Sequence, residues 1–475
     1  MATASIPEKR KKVGIFDCLS YAAGDFGCNM SFALAGTYFT LFYTQYMGIN
    51  SLVFAAVLVV LKVWDGINDP LLGGLIDAAK VDNWKRGKYK TFIYYGSFGL
   101  AIAAALCFLP FPQAPQIAKI MLCLFGYIMW DAFYTIVNVP YGSMLAAITN
   151  VPSERASLSA WRSLGALVAQ MGVAAILPSL LYDANNNIMG GKLFVTALIM
   201  GVIALISIQF MCHTTIERVQ VPPSTKKDGF NFLRAIVDFM KNRPAVGATL
   251  PTVAMYLGMY GAATATTVMF QAYFGDMRLS GLTTMCMTMP MFLFMPFLKK
   301  IVGRFGKQEA SSACMLLGVL ATFGMIVLPI TPDATGMIIF FVCILLYGLG
   351  MGVFMCVGNA LVADAIDYQE WSTGRREDNT IYAMQSFFRK IAQGIGPSIG
   401  LVLMVAFGYN EALQANQPYE IALNMRYLTA AMYFFSAVLQ FISLKFIYNL
   451  DKNTVERMTE ELNAKHAAEL AQANQ

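Results

Sequence analysis

The heptapeptide WDGINDP, residues 64–70, extends the apolar run SLVFAAVLVVL with two carboxylates and an amide. Lys62, Asp65 and Asp69 recur at i, i+3 and i+7, so on a helix they share one face, with Asn68 beside them. A carboxylate at the centre of a membrane helix costs roughly 2.5–3.5 kcal/mol on insertion scales, and each Leu or Val returns only about half a kcal/mol. Acids held against that cost mark transport or ion pathways. Two carboxylates and an amide oxygen suit a small hard cation, and the same pair can exchange a proton. Pro70 loosens the following turn by removing an amide. In the plainer reading Lys62 neutralises one Asp and the remainder lines a water-filled crevice. One Lys cannot neutralise both acids, which favours ion handling.

Two further groups carry chemistry. In WDAFYTIVNVPYGSML, Asp131, Tyr134 or Thr135, Asn138 and Gly142 line one helical face. Hydrogen-bonding groups, an aromatic ring and a gap suit a polyol, although Asn138 with Pro140 could form only a kink with a satisfied amide. Arg162 lies in LSAWRSLGALVAQ, and AMQSFFRKIAQG holds Gln385, Ser386, Arg389 and Lys390. Gln385 pairs in spacing with Arg389 and Ser386 with Lys390, so one basic residue faces the cavity and the other snorkels or pairs. GLGMG, residues 348–352, is embedded in apolar sequence and reads as helix packing. GRFGK, residues 303–307, lacks P-loop spacing, and the NMS triplet at 29–31 falls within a span.

The elements that must position these residues are membrane helices. The 475 residues are 57% hydrophobic and only 13% charged, against about 25% charged in soluble domains. Runs of about 20 apolar residues recur, as bilayer thickness requires. We expect twelve spans, at 20–47, 51–78, 91–111, 117–148, 157–182, 191–213, 245–274, 280–299, 310–330, 336–365, 381–408 and 422–449. Lys and Arg gather in alternate connections and in both terminal segments, while the opposite connections hold only Arg278, so both termini are expected in the cytoplasm. The net charge of +6 follows from that topology and calls for no nucleic-acid partner. The polar stretch TIERVQVPPSTKKDGF divides the chain into bundles at 1–214 and 245–450, a cytoplasmic loop at 215–244 and a tail at 451–475. The cytoplasmic turns after spans 2 and 8, and those after spans 4 and 10, echo each other weakly. Paired six-helix halves around a midplane cavity are the layout of a secondary transporter. Nine cysteines without CxxC spacing read as free, packed thiols, and two histidines are too few for a histidine-based metal centre or triad. No removable signal peptide is expected at the polar N-terminus.

The segments YAAGDFGCN, WDGINDPLLGGLID with WKRGKYK, YTIVNVPYGSM, VADAIDYQEWSTGRRE and QSFFRKIAQGIG resemble the glycoside–pentoside–hexuronide cation symporters, the melibiose-permease group of the major facilitator superfamily. The resemblance spans almost the whole chain. It implies an all-α major facilitator fold and a Na⁺ site at Asp65, Asn68, Asp69 and Thr135, with H⁺ or Li⁺ as alternative coupling ions. It implies sugar contacts at Asn29, Asn138, Arg162, Gln385, Ser386 and Lys390; Tyr134 is expected to join them from its helical face, and Lys62, Asp77, Asp131, Arg375 and Arg389 are expected to form a charge network or gate. Where melibiose permeases carry a Lys–Asp pair on span 1 and an Asp and a Trp on span 4, this alignment offers Cys28, Asn29, Asn138 and Gly142. The pocket is thus expected to lose two negative charges while keeping Arg162 and Lys390, which suits an anionic hexuronide, with a neutral glycoside as the close alternative.

The resulting expectation is a monomeric, multi-pass, cation-coupled sugar importer of the cytoplasmic membrane. It needs no resident cofactor and catalyses no reaction. The rivals are a lysolipid transporter of the related animal branch, which requires a lateral apolar opening, and a membrane-embedded transferase, which requires acidic loops with a metal or nucleotide.

Overall fold

The computed structural model describes residues 13–78, 86–149, 152–216, 232–294, 297–374 and 378–473. Arg375 lies outside them, and the side chains of Asp69 and Asp77 are likewise outside the description.

The described chain is almost wholly helical: α1 Ile15–Leu41, α2 Ser51–Ala78, α3 Lys88–Leu106, α4 Gln116–Ile148, α5 Pro152–Leu181, α6 Gly190–Thr214, α7 Phe232–Lys241, α8 Arg243–Val268, α9 Ser280–Phe294, α10 Leu298–Phe305, α11 Lys307–Val327, α12 Ala334–Thr373, α13 Asp378–Ala406, α14 Tyr419–Ile442 and α15 Lys452–Ala473. Each expected span falls on one of these helices, and among the described residues eight helices are long and apolar enough to cross a membrane. The short α7 and α10 and the polar α15 are additional. Helices α1 and α8 both end in a π-helical turn, at Phe42–Tyr46 and Met269–Phe274, followed by a glycine at positive φ, Gly48 and Gly275. Only glycine enters that left-handed region without strain, so both helices stop at the corresponding place in the two halves of the sequence.

Packing divides the chain into two compact units. The first gathers residues 1–42, 63–173 and 189–225, and the second gathers 43–62, 174–188 and 226–475. Segments 43–62 and 174–188 thus fall in the second unit. Polar contacts explain it. Gln45 and Gln271 exchange amide hydrogen bonds, Glu411 accepts from the Ser51 amide and hydroxyl, and Gln271 donates to the Asn186 carbonyl.

Within the first unit α1 packs on α6 and α3 on α4 and α6. A Cβ at Gly165 on α5 would overlap the Ala22 carbonyl on α1, so only a glycine permits this approach. Within the second unit α12 packs against α9 and α11. GLGMG serves that packing, as its sequence suggests: Gly348 abuts the Cys286 and Met287 backbone, Gly350 the Cys314 carbonyl and Gly352 Met291. Close backbone approach through small residues replaces the hydrophobic driving force that lipid cannot supply.

Candidate functional site

The first unit assembles a cluster from α2 and α4. The α2 face carries Asp65 and Asn68 inward: Asn68 is 1% exposed, and Asp65 accepts a 3.1 Å hydrogen bond from the Tyr127 hydroxyl. The Asn68 Nδ2 donates to Asp131 Oδ2 at 2.7 Å and to Thr135 Oγ1 at 3.1 Å. Asp131, 8% exposed, and Thr135, 2% exposed, sit one helical turn apart on α4, which is why one amide reaches both. Asp131, expected in a charge network, is bonded to Asn68 beside Thr135. The spacing at 65 and 68 was legible, whereas the partner on α4 depends on how the two helices meet. Lys62 falls in the second unit, where its stem lies against α13: a Cβ at Gly394 would stand 2.9 Å from its Cβ, Cγ and Cδ.

A second cluster joins α1, α4 and α5. Arg162 Nε lies 3.2 Å from Asp25 Oδ1, with the Arg162 side chain 30% and the Asp25 side chain 8% exposed. The guanidinium also lies 4.9 Å from the centre of the Tyr141 ring. Tyr141 stacks on Tyr21 at 4.6 Å, and each hydroxyl donates to the other's backbone carbonyl, which ties α1 to α4. Asp25 thus supplies a counter-charge to Arg162. Asn29, taken as the stand-in for a sugar-binding acid, lies one turn further along α1, donating to the Asp25 carbonyl and accepting from Gln170 Nε2 at 3.2 Å. The family resemblance points to Cys28 and Asn29 on this helix, not to Asp25. The signal was present: an acid inside an apolar segment raises the same question as Asp65.

Between these clusters along α4, Asn138 donates to the Tyr134 hydroxyl at 2.9 Å. Tyr134 stands 5.5 Å from Trp130 and 5.7 Å from Phe32, ring centre to ring centre. Trp130 is buried, its indole donating to the Ser31 hydroxyl, while the half-buried Tyr134 and Phe32 rings stand beside the polar groups, the arrangement that takes the C–H face of a sugar while amides and charged groups take its hydroxyls. Aromatic residues are too common in spans for the sequence to mark Trp130 or Phe32. A Cβ at Gly142 would sit 3.6 Å from Arg162 Nη1, so the missing side chain leaves that nitrogen approachable.

The α13 candidates lie in the second unit. Arg389 folds back on its own helix, 3.4 Å from Ser386 Oγ and 3.5 Å from Gln393 Oε1, and Gln385 is half-buried. Lys390 is exposed.

A profile of the family described as MFS/sugar transport protein matches residues 20–452. The chain is 29% identical to the isoprimeverose transporter of Lactiplantibacillus pentosus, covering 96% of this chain and 92% of that one. It is 27% identical to the uncharacterized symporter YnaJ of Bacillus subtilis, covering 96% of each. Among solved structures, a bacterial homologue of the iron transporter ferroportin in its inward-facing state superposes with a TM-score of 0.61 at 13% identity, over 91% of this chain and 100% of that one. That likeness establishes the fold alone.

Proposed function

The chain belongs to the glycoside–pentoside–hexuronide family of major facilitator sugar transporters, and on that premise we propose that it is a symporter coupling a monovalent cation to uptake of a neutral glycoside. The observation that carries the substrate class is the 3.2 Å contact between Asp25 and Arg162. A free guanidinium would favour an anionic sugar, whereas a paired one offers a neutral sugar a donor and an acceptor side by side. Charge-assisted bonds of this kind are roughly twice as strong as neutral ones. Asn138, Tyr134 and Asn29 add weaker hydrogen-bonding groups, and the half-buried Phe32 ring covers an apolar sugar face. Relatives are named an isoprimeverose transporter, a glucuronide carrier homolog and a putative sulfoquinovose importer, so the choice between neutral and anionic sugar rests on the Asp25–Arg162 pair. Gln385, Ser386 and Lys390 remain candidate sugar contacts.

The coupling ion binds at Asp65 and Asn68 with Thr135, together with Asp69; Na⁺ is the first candidate and H⁺ or Li⁺ the alternatives. The transported ion compensates the carboxylates, so ion and sugar bind in support of one another. Lys62, Asp77, Arg375 and Arg389 take the role of a charge network that rearranges as access alternates. The protein acts as a monomer in the cytoplasmic membrane with both termini inside. The test of the substrate class is counterflow in proteoliposomes with a nitrophenyl glucoside and the matching glucuronide. Faster exchange of the glucoside is expected; preference for the glucuronide overturns the reading.

A further inference from the structure

We infer that Asp131 is a positioning residue of the coupling-cation site, which fixes the Asn68 amide so that its carbonyl oxygen is left for the ion. The inference rests on the cation-site reading of Asp65 and Asn68. A carboxylate oxygen accepts, so the nitrogen end of the amide must face Asp131, and the 2.7 Å contact shows that it does. The second hydrogen of the same nitrogen goes to Thr135. Both donors are thereby used, and the amide orientation is fixed from α4. Its other end is the informative one: Asn68 Oδ1 is buried and accepts no hydrogen bond, in a residue only 1% exposed. Buried carbonyl oxygens normally find a donor, and an orphan one is costly unless something else satisfies it. A hard cation does so, since it prefers oxygen ligands of this kind. Without Asp131, the amide can turn and present nitrogen where oxygen is needed.

The test is the Na⁺ dependence of glucoside uptake in proteoliposomes. Asp131→Leu removes the acceptor, and we expect its half-saturating Na⁺ concentration to rise about tenfold or more, the loss expected for one charged hydrogen bond. The half-saturating glucoside concentration at saturating Na⁺ stays unchanged, which a general loss of structure would not leave intact. Asp131→Asn keeps an acceptor toward Asn68 and stays within about threefold of the parent, well inside the range of a neutral hydrogen bond. Because Asp131 acts through Asn68, adding Asp131→Leu to Asn68→Ala causes no further loss. If Asp131→Leu does not reach the membrane, Asp131→Ala carries the same expectation. The inference is overturned by an unchanged Na⁺ dependence, by Asp131→Asn as impaired as Asp131→Leu, or by additive effects with Asn68→Ala. Asp65→Asn separates the two levels. Retained Na⁺ stimulation there defeats the cation-site reading itself, while its loss beside indifferent Asp131 variants defeats only the role of Asp131.

Discussion

Replacing Asp25 by Asn keeps the size of the side chain and an oxygen toward Arg162 but removes the counter-charge. The pair is nearly neutral as it stands, with Nε and Oδ1 3.2 Å apart. In the variant a bound sugar meets an uncompensated guanidinium. For a sugar carboxylate about 5 Å away, the added attraction is about 0.8 kcal/mol in a water-like medium and about 3.3 kcal/mol at an effective dielectric of 20. Arg162 is 30% exposed, so solvent screens the interaction and the lower half of that range applies. A shift of roughly 1–2 kcal/mol corresponds to about tenfold in relative preference. The assay is competition between nitrophenyl glucoside and nitrophenyl glucuronide for uptake by parent and Asp25→Asn proteoliposomes. Taking the ratio cancels any shared loss of hydroxyl binding. The ratio should move toward the glucuronide by about tenfold; an unchanged ratio, or a move toward the glucoside, would refute the assignment of Asp25 as the charge that sets sugar class.

Other expectations follow from the packing. Gly165→Ala drives a methyl into the Ala22 carbonyl, and overpacking of this kind costs about 1–3 kcal/mol; thermal unfolding in detergent should show a lowered midpoint, together with weakened sugar binding because the same approach sets Arg162 beside Asp25. Gln271→Leu takes away the donor to Gln45 Oε1 while Gln45 Nε2 keeps the Tyr409 hydroxyl, at about 1–3 kcal/mol, whereas the double change Gln45→Leu with Gln271→Leu should cost less than the two single effects combined. Asp333 caps α12, and the Gly336 amide, then the Thr331 hydroxyl, hold its carboxyl below the usual carboxylate range. A lowered folded value means that its contribution is present above the unfolded pKa of about 3.9 and is lost as pH falls through the folded value. The gap in melting temperature between parent and Asp333→Ala should therefore be constant above about pH 5 and close below about pH 4; a gap that widens in acid contradicts the cap.

Much of the fold was legible because bilayer physics leaves few choices. Apolar length gave the helices, and the GLGMG spacing gave a packing surface that α9 and α11 occupy. Helical periodicity put Asp65 and Asn68 on one face, where they meet α4. What the sequence leaves open is which helices touch. Asp131 reads from the sequence as part of a charge network, and its bond to Asn68 depends on how α2 meets α4. Asn29 drew attention away from Asp25, four residues earlier, whose partner Arg162 is 137 residues distant in sequence. The π turns at the ends of α1 and α8 were also invisible, since a single inserted residue leaves almost no trace in hydrophobic pattern. Segments 43–62 and 174–188 join the second unit through amides such as Gln45 and Asn186, polar residues that a hydropathy profile treats merely as the ends of spans.

The central claim is that cation movement through the Asp65–Asn68 site drives sugar accumulation. It is tested most directly by imposing an inward Na⁺ gradient, with 100 mV inside negative, on proteoliposomes of parent and Asp65→Cys protein and following labelled glucoside at fixed pH. One cation crossing 100 mV supplies about 2.3 kcal/mol, enough for roughly 50-fold accumulation before any chemical gradient. The account predicts that the parent concentrates glucoside well above the outside level and that Asp65→Cys reaches only equilibrium. Equal accumulation by both proteins would contradict it.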